Sequence, residues 1–133
     1  MIVLDASVIL KWIFGEEGEE ISKQYRDRHV SGEEIIAVHD LFFYEIANVL
    51  ATKTRLKTKD AIMAFRMLWD FDLEIFNLGG KKFIMGIAMS KRYGITFYDA
   101  AYICLARRLK CHYVTADRKL YEKVRELKEV KLL

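Results

Sequence analysis

Short apolar runs alternate with longer stretches of helical periodicity along this chain of 133 residues. The apolar runs, predicted as β-strands, are Ile2–Leu4, Ile35–His39, Leu73–Asn77, His112–Thr115 and Val130–Leu132. The predicted helices are Ser7–Phe14, Glu19–Val30, Asp40–Arg55, Thr58–Phe71, Lys81–Tyr93, Thr96–Leu109 and Asp117–Leu127. Because strands that alternate with helices need crossover connections, the pattern predicts an α/β fold. We expect one domain over residues 1–133, a three-layer α/β/α sandwich with a five-stranded parallel sheet.

The order of elements also predicts where a ligand would bind. In parallel sheets, ligand sites lie at the carboxyl ends of the strands. Asp5 directly follows the first predicted strand, and Asp117 follows the fourth by two residues. Both acids are therefore expected on the same edge of the sheet. Two helix ends are predicted as well: Thr58 suits an N-cap, and Gly94 suits the residue after a helix, where φ is positive.

Three acids each stand as the only charge in an apolar stretch. They are Asp5 within residues 1–10, Glu45 within 41–52 and Asp99 within 95–106. An unpaired carboxylate in the core costs several kcal/mol, roughly, even after the protein relaxes. No lysine or arginine lies near them in sequence, so a shared metal ion is the simplest way to compensate their charge. With Asp117, they form a candidate site of four carboxylates.

Each acid also has a purely structural interpretation. Asp5 and Asp117 could cap the helices that follow them, and Asp99 lies three residues after Thr96, as in a capping box. Glu45 is predicted in the middle of its helix, where no capping role exists. Its structural alternative is an ion pair with a lysine or arginine from elsewhere in the chain.

An all-carboxylate site selects a hard cation, so Mg²⁺ or Mn²⁺ is expected rather than zinc. Such an ion clamps phosphate oxygens and activates water for attack on a phosphodiester. Ser7, Asn48 and Thr115 lie two or three residues from these acids and could orient them by hydrogen bonds. Arg118, next to Asp117, is the candidate for a contact with a substrate phosphate.

Composition narrows the function classes only a little. The net charge of +3 permits a polyanionic partner such as RNA without requiring one. The two cysteines, Cys104 and Cys111, and the three histidines have no zinc-site spacing. No stretch resembles a targeting signal or a membrane span, and we expect a cytoplasmic protein with no membrane partner.

Four short motifs carry a family resemblance. They are Val3–Ser7 (VLDAS), Tyr44–Leu50 (YEIANVL), Tyr98–Tyr102 (YDAAY) and Val114–Asp117 (VTAD). In this order and spacing the chain resembles the PIN-domain family, and within it the short VapC-type toxins. The family's four catalytic and metal-binding acids correspond to Asp5, Glu45, Asp99 and Asp117. Many relatives carry a proline after the second strand, where this chain has His39 and Asp40.

The resemblance implies a single PIN-like nuclease domain, with the first strand central in the sheet and the fourth beside it. It further implies a metal-dependent ribonuclease that cuts single-stranded or structured RNA, forms a homodimer and is inhibited by a cognate VapB-like antitoxin. As the toxin of a type II toxin–antitoxin system, it would hydrolyse RNA phosphodiester bonds with the four-carboxylate site.

Three alternatives stay open. A phosphotransfer enzyme of the haloacid-dehalogenase type also has an aspartate after the first strand, but its second acid would fall at Ser7. A catalytically silent PIN-like module would act only through binding partners. An RNA-processing nuclease of the same fold, outside any toxin–antitoxin system, would usually carry further domains.

Overall fold

The computed structural model of the protein describes residues 1–133 and contains five strands and eight helices. The strands are β1 (Ile2–Leu4), β2 (Ile36–His39), β3 (Glu74–Phe76), β4 (Tyr113–Thr115) and β5 (Val130–Leu132). The helices are α1 (Ala6–Ile9), α2 (Lys11–Phe14), α3 (Glu19–Val30), α4 (Phe42–Thr52), α5 (Thr58–Trp69), α6 (Gly80–Tyr93), α7 (Phe97–Leu109) and α8 (Arg118–Val124). No helix combines the length and the apolar character that crossing a membrane requires.

All five strands pair in parallel in the order β3-β2-β1-β4-β5. β1 is central, and Val3 lies opposite Ala37 on one side and Tyr113 on the other. The predicted five-stranded parallel sheet is therefore confirmed. Its carboxyl edge collects the residues that follow β1, β2 and β4, which is where the candidate acids lie.

The two faces of the sheet bury two separate cores, because successive strand residues point to opposite sides. Val3, Ala37 and Tyr113 pack with α6, α7 and α8. Leu4 and Val38 pack on the other side with α1, α2, α4 and α5. Helices thus cover both faces, as the predicted three-layer sandwich requires.

Many element ends differ from the sequence predictions by one to three residues, and two differences have a clear physical reason. The helix predicted over 7–14 is two short helices that break at Leu10, where the Ser22 hydroxyl donates to the Val8 carbonyl at 2.7 Å. The Thr58 N-cap was wrong, because Thr58 is the first helical residue and Lys57 precedes it in extended conformation. The Gly94 helix end is confirmed, with φ of 63°.

Close contact between α6 and α7 depends on Gly86. A Cβ at this buried position would lie 2.7 Å from Cε2 of Phe97. We expect Gly86→Ala to destabilise the protein by about 1–2 kcal/mol, because overpacking outweighs the gain of about 1 kcal/mol in helix propensity. Chemical unfolding measures the difference. Gly80→Ala is the matched control in the same helix, since its Cβ would meet nothing within 4 Å, and a loss of stability there too would contradict the packing explanation.

Candidate active site

Asp5 is the most deeply held of the four acids. It lies directly after β1, is only 7% exposed, and caps α1 by accepting from the Val8 backbone N–H at 3.2 Å. Its Oδ1 also accepts from the Ser7 hydroxyl at 2.5 Å, and its Oδ2 from the Tyr113 hydroxyl at 2.6 Å. Burial raises the pKa of Asp5 above its usual value, and hydrogen bonds from Ser7, Thr115, Tyr113 and Val8 oppose that rise.

Ser7 and Thr115 lie beside the acids, as the sequence suggested. Besides donating to Asp5, the Ser7 Oγ accepts from the Ala116 backbone N–H at 2.9 Å, which ties the end of β1 to the end of β4. The buried Thr115 Oγ1 accepts from the Asp117 backbone N–H at 3.1 Å. These two hydroxyls fix the turns that present Asp5 and Asp117 at the sheet edge.

Glu45 lies in the first turn of α4, so its predicted mid-helix position was wrong. Its Oε2 accepts from the Tyr102 hydroxyl at 2.5 Å. The only basic group within 4.0 Å is His39, so the structure contains no lysine or arginine partner. The pKa of Glu45 is raised to about 7, chiefly by burial; the charges of Asp5 and Asp99 contribute to the rise, and the Tyr102 hydrogen bond opposes it.

Asp99 and Asp117 complete the group from two other helix starts. The Asp99 backbone N–H donates to Thr96 Oγ1 at 3.1 Å, so Thr96 caps α7. Burial raises the pKa of the Asp99 carboxyl, and the charges of Asp5 and Asp117 add to the rise. Asp117 is exposed and caps α8, accepting from the Leu120 N–H at 3.0 Å. Capping roles for Asp5 and Asp117 therefore coexist with membership of the acid cluster.

The four acids gather at one edge of the sheet without a compensating cation. The charges of neighbouring acids raise the pKa of both Glu45 and Asp99, and none of the four acids forms a salt bridge with lysine or arginine. In this conformation no three acidic, histidine or cysteine side chains lie close enough to hold one metal ion. The donor set nevertheless has the chemistry of a Mg²⁺ or Mn²⁺ site, with oxygen ligands and uncompensated negative charge. Joint ligation of one ion would therefore require the acidic side chains to move.

Two further residues named from the sequence lie at the surface. Asn48 is exposed on α4, and its side chain forms no hydrogen bond with any of the acids. The Arg118 side chain is 77% exposed, and its Nη2 lies 3.6 Å from Glu17 Oε1. Arg118 is thus free to turn toward a substrate, whereas Asn48 has no orienting role in this arrangement.

Sequence reasoning missed the aromatic residues behind the acids. Tyr102 and Tyr113 are buried, and each donates its hydroxyl to one acid. His39 is 1% exposed, and its Nε2 lies 4.0 Å from Glu45 Oε2. The available signal was a tyrosine inside an otherwise apolar stretch, since a buried phenol needs a hydrogen-bond partner.

A groove of about 720 Å³ leads away from the site between α2 and the end of α4. Ser7 and Asp117 line its inner part. Lys11, Lys53 and Arg55 are also among its lining residues; Lys11 lies 3.6 Å from Glu16, whereas neither Lys53 nor Arg55 forms a salt bridge. The groove therefore brings two unpaired basic side chains into the same depression as Asp117, which suits a substrate with a phosphate backbone.

Comparison with protein families gives one match over nearly the whole chain. The sequence model of the PIN domain matches residues 2–126. A curated protein from Pyrobaculum aerophilum, named Ribonuclease VapC3, is 32% identical over 127 residues, which cover 92% of this chain and 93% of that protein.

Solved structures with low sequence identity share the fold. A toxin–antitoxin complex from Klebsiella pneumoniae matches with a TM-score of 0.67 and 15% identity, covering 98% of this chain and 96% of that chain. VapC20 from Mycobacterium tuberculosis, described as a toxin that cleaves the sarcin-ricin loop, matches with a TM-score of 0.68 and 12% identity, covering 92% of this chain and 94% of that one.

Proposed function

The chain belongs to the PIN-domain family, and we propose on that basis that it is a metal-dependent endoribonuclease acting as the toxin of a type II toxin–antitoxin pair. The observation that carries the nuclease proposal is the gathering of Asp5, Glu45, Asp99 and Asp117 at the carboxyl edge of the sheet without a cationic partner. The ribonuclease relative, similar over most of both chains, supports the same reaction class.

We assign the four carboxylates as the ligands of Mg²⁺ or Mn²⁺. When bound, such an ion would polarise the scissile phosphodiester and lower the pKa of an attacking water. Asp5 is held in place for this role by Ser7 and Tyr113. Glu45 presents Oε1, because Tyr102 already occupies Oε2. With its pKa near 7, Glu45 can bind or release a proton at Oε1 close to neutral pH.

RNA is the proposed substrate because the groove that reaches Asp117 also contains unpaired basic side chains. Lys53 and Arg55 are exposed and unpaired, so they can contact backbone phosphates on one side of the site. Arg118 can do the same on the other side, next to Asp117. The VapC20 neighbour, described as cleaving the sarcin-ricin loop, supports an RNA substrate in the same fold.

Two exposed apolar surfaces support protein partners. The first is on α5, where Ile62, Met63, Met67 and Trp69 are all more than 40% exposed. The second is on α6, with Phe83, Ile84 and Ile87, and continues to Tyr98 of α7. Contiguous apolar patches of this kind mark protein interfaces. We assign these surfaces to two protein partners, a cognate VapB-like antitoxin and a second copy of the chain. The Klebsiella pneumoniae neighbour, a toxin–antitoxin complex, supports the antitoxin as a partner.

The proposed activity predicts metal-dependent cleavage of RNA. Purified protein incubated with total RNA, whole tRNA and ribosomal RNA should yield discrete fragments with Mn²⁺, and none with excess EDTA. Gel separation and mapping of the fragment ends detect the cuts. RNA binding without cleavage would instead identify a silent binding module, and hydrolysis of a small phosphomonoester alone would identify a phosphotransfer enzyme.

A further inference from the structure

Three buried aromatic rings stand in a row behind the acids. The Tyr102 ring lies 3.9 Å from the His39 ring and 5.6 Å from the Tyr113 ring, measured between centroids. The two tyrosine planes are nearly parallel, at 6°. The three residues come from β2, α7 and β4, and none is more than 2% exposed. The row therefore spans the sheet and the helix packed on it, which makes it a rigid support.

Each tyrosine hydroxyl donates to a different acid. Tyr113 donates to Asp5 Oδ2 at 2.6 Å, and Tyr102 donates to Glu45 Oε2 at 2.5 Å. Short bonds of this kind to a charged acceptor are the stronger hydrogen bonds in proteins. Because Tyr102 takes only one oxygen of Glu45, the other oxygen is left without a protein partner and is available to a ligand.

His39 adds an unused donor beside the same carboxylate. Its Nδ1 accepts from the Leu41 backbone N–H at 3.0 Å, so the ring carries its proton on Nε2. That Nε2 is the only buried side-chain nitrogen or oxygen in the chain without a hydrogen-bond partner. It lies 4.0 Å from Glu45 Oε2, just beyond hydrogen-bonding distance. A small rotation of the Glu45 side chain would close this gap.

We propose that His39, Tyr102 and Tyr113 are positioning residues, which orient Glu45 and Asp5 for metal ligation through three buried donors. Tyr113 holds Asp5, Tyr102 holds Glu45, and His39 Nε2 supplies the second donor when Glu45 rotates toward it. This inference rests on the proposed metal-dependent nuclease. It explains why a donor as well buried as His39 Nε2 is kept at this edge, since such atoms are nearly always paired in native proteins.

The hydroxyls can be removed while the ring row is kept. Tyr102→Phe and Tyr113→Phe should each weaken Mn²⁺ binding about 10- to 100-fold, the usual effect of losing a residue that orients a metal ligand. Isothermal titration of the protein with Mn²⁺ measures the affinity. For RNA cleavage, kcat should fall while KM stays within about twofold, because none of these side chains contacts the RNA. Tyr93→Phe is the matched control, since its hydroxyl donates to the surface acid Glu126 at 2.8 Å.

Two substitutions of His39 can be compared directly. This comparison tests the positioning role even if a phenylalanine variant of Tyr102 or Tyr113 fails to fold. In His39→Asn, the side-chain oxygen can still accept from the Leu41 N–H, but the donor toward Glu45 is lost. In His39→Gln, the amide nitrogen can replace Nε2 as the donor. We expect His39→Gln to keep the Mn²⁺ affinity within about threefold of wild type and His39→Asn to lose most of it. If His39 only stabilises the turn by accepting from the Leu41 N–H, His39→Asn should have the higher melting temperature of the two variants.

The results separate this inference from the proposed function. If wild-type protein binds Mn²⁺ and cleaves RNA, but the Tyr102 and Tyr113 variants match it in both affinity and kcat, the positioning role is wrong and the nuclease proposal stands. A lower melting temperature with unchanged Mn²⁺ affinity has the same meaning, because it reveals only a contribution to the fold. If wild type itself neither binds Mn²⁺ nor cuts RNA, both proposals are overturned.

Discussion

Asp99→Asn is expected to reduce metal-dependent RNA cleavage about 100- to 1000-fold, the range seen when one group that stabilises the transition state is removed. Asp99 suits this test because its backbone N–H donates to Thr96 Oγ1, and an asparagine side chain can still accept the hydrogen bonds that Thr96 makes to the Asp99 carboxyl. Asparagine has the same size, so the start of α7 should form unchanged. Without the charge, repulsion from Asp5 and Asp117 falls, and the protein free of divalent ions should be as stable as wild type or slightly more so.

Single-turnover cleavage at saturating Mn²⁺ and a thermal melt in EDTA measure the two effects. Asp60→Asn is the matched control, since Asp60 is also an acid in the first turn of a helix, α5, but belongs to no cluster. Asp5→Asn should lose cleavage equally, and its amide can still accept from Ser7 and Val8. Wild-type activity in Asp99→Asn would remove that residue from the site, and an unfolded Asp99→Asn protein would make it a structural residue.

The second large effect is an inverse dependence of stability on pH in the absence of divalent ions. The pKa of Glu45 is about 7 in the folded protein, against an ordinary value of 4.5. Between these two values the folded chain binds a proton that the unfolded chain has released, so the acid's contribution to stability falls as pH rises through this window. The raised pKa values of Asp5 and Asp99 act in the same direction.

The rise in the pKa of Glu45 corresponds to a loss of at most about 3 kcal/mol from the free energy of unfolding as pH increases. Its side chain is 28% exposed, so screening by solvent lowers the expected loss to about 1–2 kcal/mol between pH 5 and pH 8. Melting in EDTA across this range should show a fall of several degrees. Glu45→Gln should flatten the fall, whereas Glu20→Gln, on the exposed face of α3, should leave it as in wild type.

Metal binding should reverse this destabilisation at neutral pH. Free Mn²⁺ at 100 times its dissociation constant adds about 2.7 kcal/mol to the free energy of unfolding. The added stability should shrink as pH falls below 7, because a proton on Glu45 competes with the ion. If adding Mn²⁺ leaves the melting temperature unchanged at every pH, the four acids do not bind the ion together.

The acids could be predicted from sequence because the signal is local. A single charge within an apolar stretch, as at Asp5 and Asp99, is visible without knowing the fold, and strand ends place such residues at one edge. β1, β2 and β4 were predictable for the same reason, since each is a continuous buried run in sequence.

The partners of the positioning residues could not be predicted, because they are remote in sequence. Tyr102 and Glu45 are 57 positions apart, and a tyrosine beside alanines and isoleucine looks like ordinary core. The start of α4 was placed two residues too early for a related reason. Asp40 donates its backbone N–H to Phe76 of β3, and His39 accepts from Leu41, so tertiary contacts hold this segment out of the helix.

The bond between Tyr113 and Asp5 joins residues 108 positions apart. Asp5 has local donors in Ser7 and Val8, but it gains the Tyr113 hydroxyl only when β4 pairs with β1. Asp117 is four residues beyond Tyr113 on the same segment. A nascent polypeptide therefore carries no complete acid cluster until nearly all of this domain has left the ribosome. For the proposed nuclease, translation would therefore separate the synthesis of the first acid from the first possible cut.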